Sequence, residues 1–296
     1  MSRETSPSTH RPYGIVRVTR VWGVPRSTIY AQRDRRDTTT TLAKRGPKTP
    51  WSDAELTTRI RTCITESPFH GEGHRKVWAR LRVAGVRSSK ARVLRLMRAA
   101  DLLGPARVPQ RGPAHPHDGT IVPEQPQVMW GTDATATVTL TDGTVTIFGA
   151  IDHYTAECVG LHAAKHGTRF EALEPLRQGV SVHFGGFVRG AATGLTLRHD
   201  HGSQYLSDAF QAELRFLGIT SSPAFVRQPE GNGCIERFFR TLKEQLLWVR
   251  HFIDLAELQE ALRVFKDTYN QHWLIERLGF RSPAAVRQEF ALTPAA

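Results

Sequence analysis

Two β-branched runs at residues 128–140 and 144–152 are separated by Thr141-Asp142-Gly143, and no other feature of the sequence restricts the fold as much. Both runs alternate with the period of a half-buried strand, and Asp-Gly between such runs is a strong hairpin signal. Residues 157–164 (ECVGLHAA) read as a third strand. A helix around residues 170–184 leads to a strand over residues 194–200 (GLTLRHD), and a further helix covers residues 207–217. Three strands followed by alternating helices and strands predict a mixed sheet flanked by helices, an α/β fold. From Asn232 onward the pattern is helical.

The first 126 residues follow a different period. Ile15, Val18, Val21 and Trp22 make a short apolar stretch that Gly23 breaks, and Ser27 and Thr28 open a second helix through Tyr30 and Gln32. Helix, glycine-containing turn, helix is the helix-turn-helix pattern. A second helical segment covers residues 52–104, with a capping-box signature at Ser52 and Glu55 ahead of Leu56, Ile60 and Ile64. After the turn at Gly85, Val93, Leu94, Leu96 and Met97 form an apolar face, with Arg92, Arg95 and Arg98 expected to face outward. The motifs Gly23-Val24-Pro25-Arg26-Ser27 and Gly85-Val86-Arg87-Ser88-Ser89 occupy the same place in the two segments. Arg26, Ser27 and Thr28, and likewise Arg87, Ser89 and Lys90, then stand at helix starts, where N–H groups and side chains can meet phosphate or base edges. Residues 37–51 and 105–126 read as linkers, and His115 and His117 as solvated side chains of a Pro-rich stretch.

Charge divides at the same boundary. Residues 1–126 hold 24 Lys and Arg against 10 Asp and Glu, a net of +14, whereas residues 127–296 hold 16 against 18, a net of −2. A positive field of this kind suits a polyanion such as DNA; charge alone leaves a merely soluble basic surface equally open. Cys63, Cys158 and Cys234 make neither a disulfide framework nor a zinc-ligand spacing. No run approaches the roughly 20 apolar residues of a membrane span, and the N-terminus lacks a secretory signal. No membrane association is expected, and the expected location is the cytoplasm.

Attack on a phosphodiester gathers negative charge at phosphorus, and two Mg²⁺ ions about 4 Å apart can offset it. Mg²⁺ prefers hard carboxylate and water oxygens, so such a site needs acidic residues from separate elements. Asp133 interrupts an otherwise core-like strand, Asp200 ends an apolar strand, and Glu236 opens a long helix after the loop at residues 228–233. In that helix Ile235, Phe238, Phe239, Leu242, Leu246 and Val249 form one apolar stripe. Glu236, Arg240 and Lys243 lie along its border, Glu244 points away, and Asn232 is the expected N-cap. Arg240 and Lys243 read as DNA contacts. Asp152 is a competing carboxylate, read as a turn cap, with proximity to Asp133 across the hairpin left open. His199 and His201 are given a positioning role at most, because histidine is a poor Mg²⁺ ligand.

These pieces resemble a known family. Trp130-Gly131-Thr132-Asp133, the strand end Asp200-His201-Gly202-Ser203-Gln204-Tyr205, and the helix start Asn232-Gly233-Cys234-Ile235-Glu236 are similar to the core shared by retroviral-type integrases and insertion-sequence transposases. The OrfB product of the insertion-sequence-three family is the nearest likeness. Thirty-five residues separate Asp200 from Glu236, and Lys243 follows Glu236 by seven, as in that family. The segment from Phe69 to Lys76 departs from the family's tyrosine- and glycine-containing basic turn, and Gly231 stands where an aspartate often precedes the Asn.

The resemblance implies a ribonuclease-H-like core, a mixed five-stranded sheet flanked by helices, preceded by all-α helix-turn-helix segments. The expected domains are a helix-turn-helix segment (1–36), a linker (37–51), a second helical DNA-binding domain (52–104), a linker (105–126), the catalytic core (127–250) and its helical extension (251–296). It implies DNA cleavage and strand transfer at insertion-sequence ends by Asp133, Asp200 and Glu236, which would be both catalytic and metal-binding, with two Mg²⁺ or Mn²⁺ ions. The implied partners are terminal inverted repeats and target DNA, an OrfA product, and further copies of the chain on DNA. The rival expectations are a non-catalytic DNA-binding regulator and a ribonuclease-H-like nuclease without joining activity.

Overall fold

The computed structural model describes residues 4–37, 50–104, 123–224 and 232–292. Most of both expected linkers, His115, His117 and residues 228–231 lie outside them. The chain divides into two compact units, Met1–Pro50 and Trp51–Ala296.

In the first unit, α1 (Gly14–Trp22) ends on Gly23 at φ 63°, a left-handed conformation that costs glycine little, and α2 (Arg26–Asp37) follows. The expected helix-turn-helix order is present.

The second unit opens with three helices, α3 (Asp53–Thr65), α4 (His74–Val83) and α5 (Lys90–Ala99). The capping box forms: Ser52 Oγ accepts from Glu55 N at 3.2 Å and Glu55 Oε2 from Ser52 N at 2.8 Å. Leu56, Ile60, Val77, Val93 and Met97 are fully buried between the helices. Two arginines expected to face outward are tied down. Arg92 donates to Asp53 Oδ1 at 2.9 Å and Arg95 to Asp53 Oδ2 at 2.8 Å, whereas Arg98 remains exposed. The two guanidinium groups hold the Asp53 carboxyl down at about 2.

The sheet comprises β1 (Met129–Thr139), β2 (Gly143–Asp152), β3 (Cys158–Ala164), β4 (Thr196–His199) and β5 (Thr220–Pro223), in the order β3-β2-β1-β4-β5. The first three strands are antiparallel neighbours, while β4 and β5 add in parallel. This is the mixed five-stranded sheet expected of a ribonuclease-H-like core. β5 escapes a residue-level reading because it has four residues, two of them serine.

Each sheet face carries its own core. On one side α6 (Arg169–His183), the short α7 (Ser203–Leu206) and α8 (Asp208–Leu217) cover Trp130, Phe148 and Leu197. On the other, α9 (Gly233–Leu242) and α10 (Leu255–His272) cover Ile147 and Ile151 with Ile235, Phe238 and Phe265. The expected stripe along α9 is shorter than its sequence suggests. The α-helix stops at Leu242, Lys243–Leu247 forms a π-helical turn, and Val249 is 58% exposed. The wider turn from Lys243 brings Leu247 into the core beside Leu246, and Val249, beyond its end, has left the core.

A 3₁₀ turn (Glu276–Leu278) and α11 (Pro283–Leu292) complete the unit, and the three-helix bundle docks on this end of the core. Phe69 meets Trp273 edge-on at 4.8 Å, Trp78 meets Phe280 at 5.7 Å, and Arg75 pairs with Glu276 at 2.8 Å. His70 N donates to Gln245 Oε1 while Gln245 Nε2 donates back to His70 O. Behind this seam the buried Glu72 accepts from Arg80 Nε at 2.6 Å and Ser67 Oγ at 2.8 Å. The segment from Phe69 to Lys76, unusual in sequence, thus forms the seam between bundle and core.

Candidate active site

Asp133 stands in the middle of β1, opposite Gly149 of β2. A Cβ on Gly149 would meet Phe239 at 3.1 Å, so this side of the strand pair faces α9. The Asp133 Oδ1 atom accepts from Ala134 N at 2.8 Å. Half-burial pushes its carboxyl up to about 6, and the charges of Asp200 and Glu236 push the same way, against hydrogen bonding from Ala134 and the positive charge of Lys243. The four side chains therefore share one electrostatic neighbourhood, assembled from β1, the end of β4, the first turn of α9 and the π-helical turn.

Asp200 immediately follows β4 and is exposed, with Oδ1 accepting from Gly202 N at 2.8 Å. Its flanking histidines brace the strand end. His199 Nδ1 donates to the Asp200 carbonyl at 2.7 Å, and its Nε2 lies 2.8 Å from Ser221 Oγ on β5. His201 Nε2 donates to Ala224 O at 2.7 Å. Burial lowers the His199 pKa, against the hydrogen bond to the Asp200 carbonyl and the Asp200 charge, which raise it. Glu236 is exposed on α9, and Lys243 is half-buried seven residues later. Among the described residues no three His, Cys, Asp or Glu side chains close in on a single metal position. The donor set fits a hard divalent cation nonetheless: it consists of carboxylate oxygens, and after burial the charges of Asp200 and Glu236 add to the upward push on Asp133, a repulsion that a cation would offset.

Asp152 plays the turn-capping part. Its Oδ1 accepts from Thr155 N and Oγ1 at 2.7 and 2.9 Å, and its Oδ2 accepts from Gln127 N at 2.9 Å. Opposite Trp130 rather than Asp133 in the β1–β2 register, it is committed to the loop.

Asn232 precedes α9 as expected, but its side chain does not cap the helix. Its Nδ2 donates instead to Thr132 O at 3.1 Å, beside Asp133. Arg240 on the exposed side donates to Glu244 at 2.9 Å, so Glu244 turns toward the arginine. Of the other expected DNA contacts, Arg26, Ser27, Thr28 and Arg87 are exposed. Ser89 Oγ caps α5 by accepting from Arg92 N, and the Lys90 ammonium lies 4.6 Å from the Trp78 ring centroid and 5.3 Å from that of Phe280. Both residues thus have structural duties beside any contact with DNA. The His153–Asn232 neighbourhood above Gly131 was not legible in the sequence; an isolated glycine inside a strand was its only signal.

Two family profiles match the chain: "HTH-like domain" over residues 51–110 and "Integrase core domain" over residues 217–283. The chain is 26% identical to the transposase for insertion sequence element IS629 of Shigella sonnei over 227 residues, 74% of each chain. It is 27% identical to the Escherichia coli transposase InsD for insertion element IS2A/D/F/H/I/K over 242 residues, 78% of this chain and 77% of that one. Among solved structures, a chain of the simian T-cell lymphotropic virus intasome matches 83% of this chain and 77% of its own length, with a TM-score of 0.50 and 19% identity. That likeness concerns the fold. No helix among the described residues is long and apolar enough to cross a membrane.

Proposed function

We propose that this chain, an integrase-core transposase of the insertion-sequence-three family's OrfB type, cuts DNA at element ends and joins the ends to target DNA through Asp133, Asp200 and Glu236. The observation that carries the reading is the charge field at Asp133: Asp200 and Glu236 reach it from two other elements, and Lys243 opposes them. In strand cleavage, water attacks phosphorus, the bond from phosphorus to the 3′ oxygen breaks, and a 3′-hydroxyl is released. In strand transfer that hydroxyl attacks a target phosphorus and displaces the target's own 3′ oxygen.

Asp133, Asp200 and Glu236 would hold Mg²⁺ or Mn²⁺, two ions in this reading, which would activate the attacking oxygen and stabilise the leaving one. Asp133, half-buried on a central strand, supplies the rigid reference point. Asp200 and Glu236, both exposed, open the site toward the substrate. Lys243 would hold a phosphate oxygen, and the exposed start of α2 with Arg87 would meet the duplex backbone. Domain limits at 1–36, 52–104, 127–250 and 251–296, recognition of terminal inverted repeats, an OrfA partner, assembly of several copies on DNA and a location at the nucleoid belong to the same proposal.

Incubating the chain with labelled element-end DNA and Mg²⁺, with and without OrfA, tests it. Nicked and joined products are expected, with both lost in Asp200→Asn. Equal product formation by that variant overturns the site, binding without cleavage favours a regulator, and cleavage without joining favours a nuclease.

A further inference from the structure

Gly131 lies two residues before Asp133, and a Cβ built on it would stand 2.6 Å from His153 Nε2 and 2.7 Å from Asn232 Oδ1. Only a glycine lets both side chains crowd against β1 at this point. His153 and Asn232 are 7% and 6% exposed, and these same two atoms, one on each side chain, have no hydrogen-bond partner. Two buried polar groups that face one point, each lacking a partner, can satisfy one another after a small rotation of either side chain.

The hydrogen-bond chemistry sets which atom does what. Thr132 O can only accept, so Asn232 presents its NH₂ there, at 3.1 Å, and turns its carbonyl oxygen toward His153. That oxygen also only accepts, so the imidazole must offer a proton on Nε2. The Thr132 carbonyl itself needs this donor. The β1–β4 ladder ends at Gly131 and Arg198, and Thr132 O points to that edge because Val128 O, four residues earlier, accepts from Thr196 N. The His153 backbone is anchored as well, its N donating to Met129 O at 3.0 Å and its O accepting from Arg277 at 3.0 Å.

We propose that Asn232 and His153 form a latch between β1 and α9: His153 Nε2–H donates to Asn232 Oδ1, the Asn232 amide donates to Thr132 O, and the latch sets where Glu236 stands relative to Asp133. Thr132 precedes Asp133 within β1 and Asn232 precedes α9, which carries Glu236, so the latch is a short hydrogen-bonded bridge between the backbones that hold the two carboxylates. Asn232 and His153 are positioning residues. Their role rests on the reading of Asp133, Asp200 and Glu236 as one metal-binding site.

Mn²⁺ binding to the full chain, read from the electron paramagnetic resonance of free Mn²⁺, tests the latch without requiring activity. Asn232→Ala and His153→Ala should each weaken Mn²⁺ binding by about 10- to 100-fold, the usual effect of removing a residue that orients a metal ligand. His153→Gln, which keeps an N–H donor, should bind as the unaltered chain does, and ¹⁵N spectra of the imidazole should place its proton on Nε2. A proton on Nδ1, or undiminished Mn²⁺ binding by Asn232→Ala and His153→Ala, overturns the latch. Asp200→Asn separates the two ideas: if it loses Mn²⁺ while Asn232→Ala does not, the latch alone fails. If Asp200→Asn also binds normally, the three-carboxylate reading fails and takes the latch's role with it. Should Asn232→Ala not fold, the contrast between His153→Ala and His153→Gln decides.

Discussion

Replacing Asp133 with asparagine should stabilise the metal-free chain at neutral pH. The carboxyl is pushed from 3.8 to about 6 in the folded state, chiefly by burial and then by Asp200 and Glu236. Between these values the folded chain holds a proton that the unfolded chain has released, so stability falls as pH rises from about 4 to about 6 and stays lowered above that. A shift of about two units corresponds to at most about 3 kcal/mol. Asp133 is only half-buried, and screening reduces the expected effect to about 1–2 kcal/mol. Asparagine keeps the oxygen that accepts from Ala134 N and removes the charge. Urea unfolding in EDTA, followed by tryptophan fluorescence with the fully buried Trp130 as a core reporter, gives the comparison. The variant should unfold at higher urea at pH 7.5, with the gap closing toward pH 4. Added Mg²⁺ should stabilise the unaltered chain and not the variant. A variant that is less stable at pH 7.5, or a gap independent of pH, would refute the claim that Asp133 is held ionised against its surroundings.

Glu72→Ala leaves Arg80 without its buried carboxylate and should cost about 3 kcal/mol or more, with faster proteolysis between bundle and core. Arg87→Ala should weaken DNA binding about equally for all sequences and lower the slope of log affinity against log salt by about 1. Gly131→Ala should destabilise the core by about 1–3 kcal/mol through the clash with His153 and Asn232, seen as a lower melting temperature.

Local features of this chain were legible wherever the physics is local. The β1–β2 hairpin follows from period-two alternation around Asp142-Gly143, and the start of α3 from a capping box whose partners are three residues apart. Glycine at 23 marks the turn between α1 and α2 for the same reason. The order and spacing of Asp133, Asp200 and Glu236 are likewise properties of the chain as written. Pairings between distant residues are not. Whether Asp133 or Asp152 faces α9 depends on strand register and on Thr155 and Gln127 claiming the Asp152 oxygens. Helical period extends the apolar stripe to Val249, but a stripe lasts only as far as a partner surface does, and the π-helical turn at Lys243 ends it. Arg92 and Arg95 look like free surface charge until α3 brings Asp53 against them. Asn232 has the composition of a cap, yet a carbonyl 100 residues away at the end of a ladder takes its amide. Backbone propensity acts within a few residues, whereas hydrogen-bond and charge partners are chosen by whatever the fold brings within about 3 Å. The sequence alone determined the elements and the order of the acidic residues; the tertiary structure decided which polar groups meet.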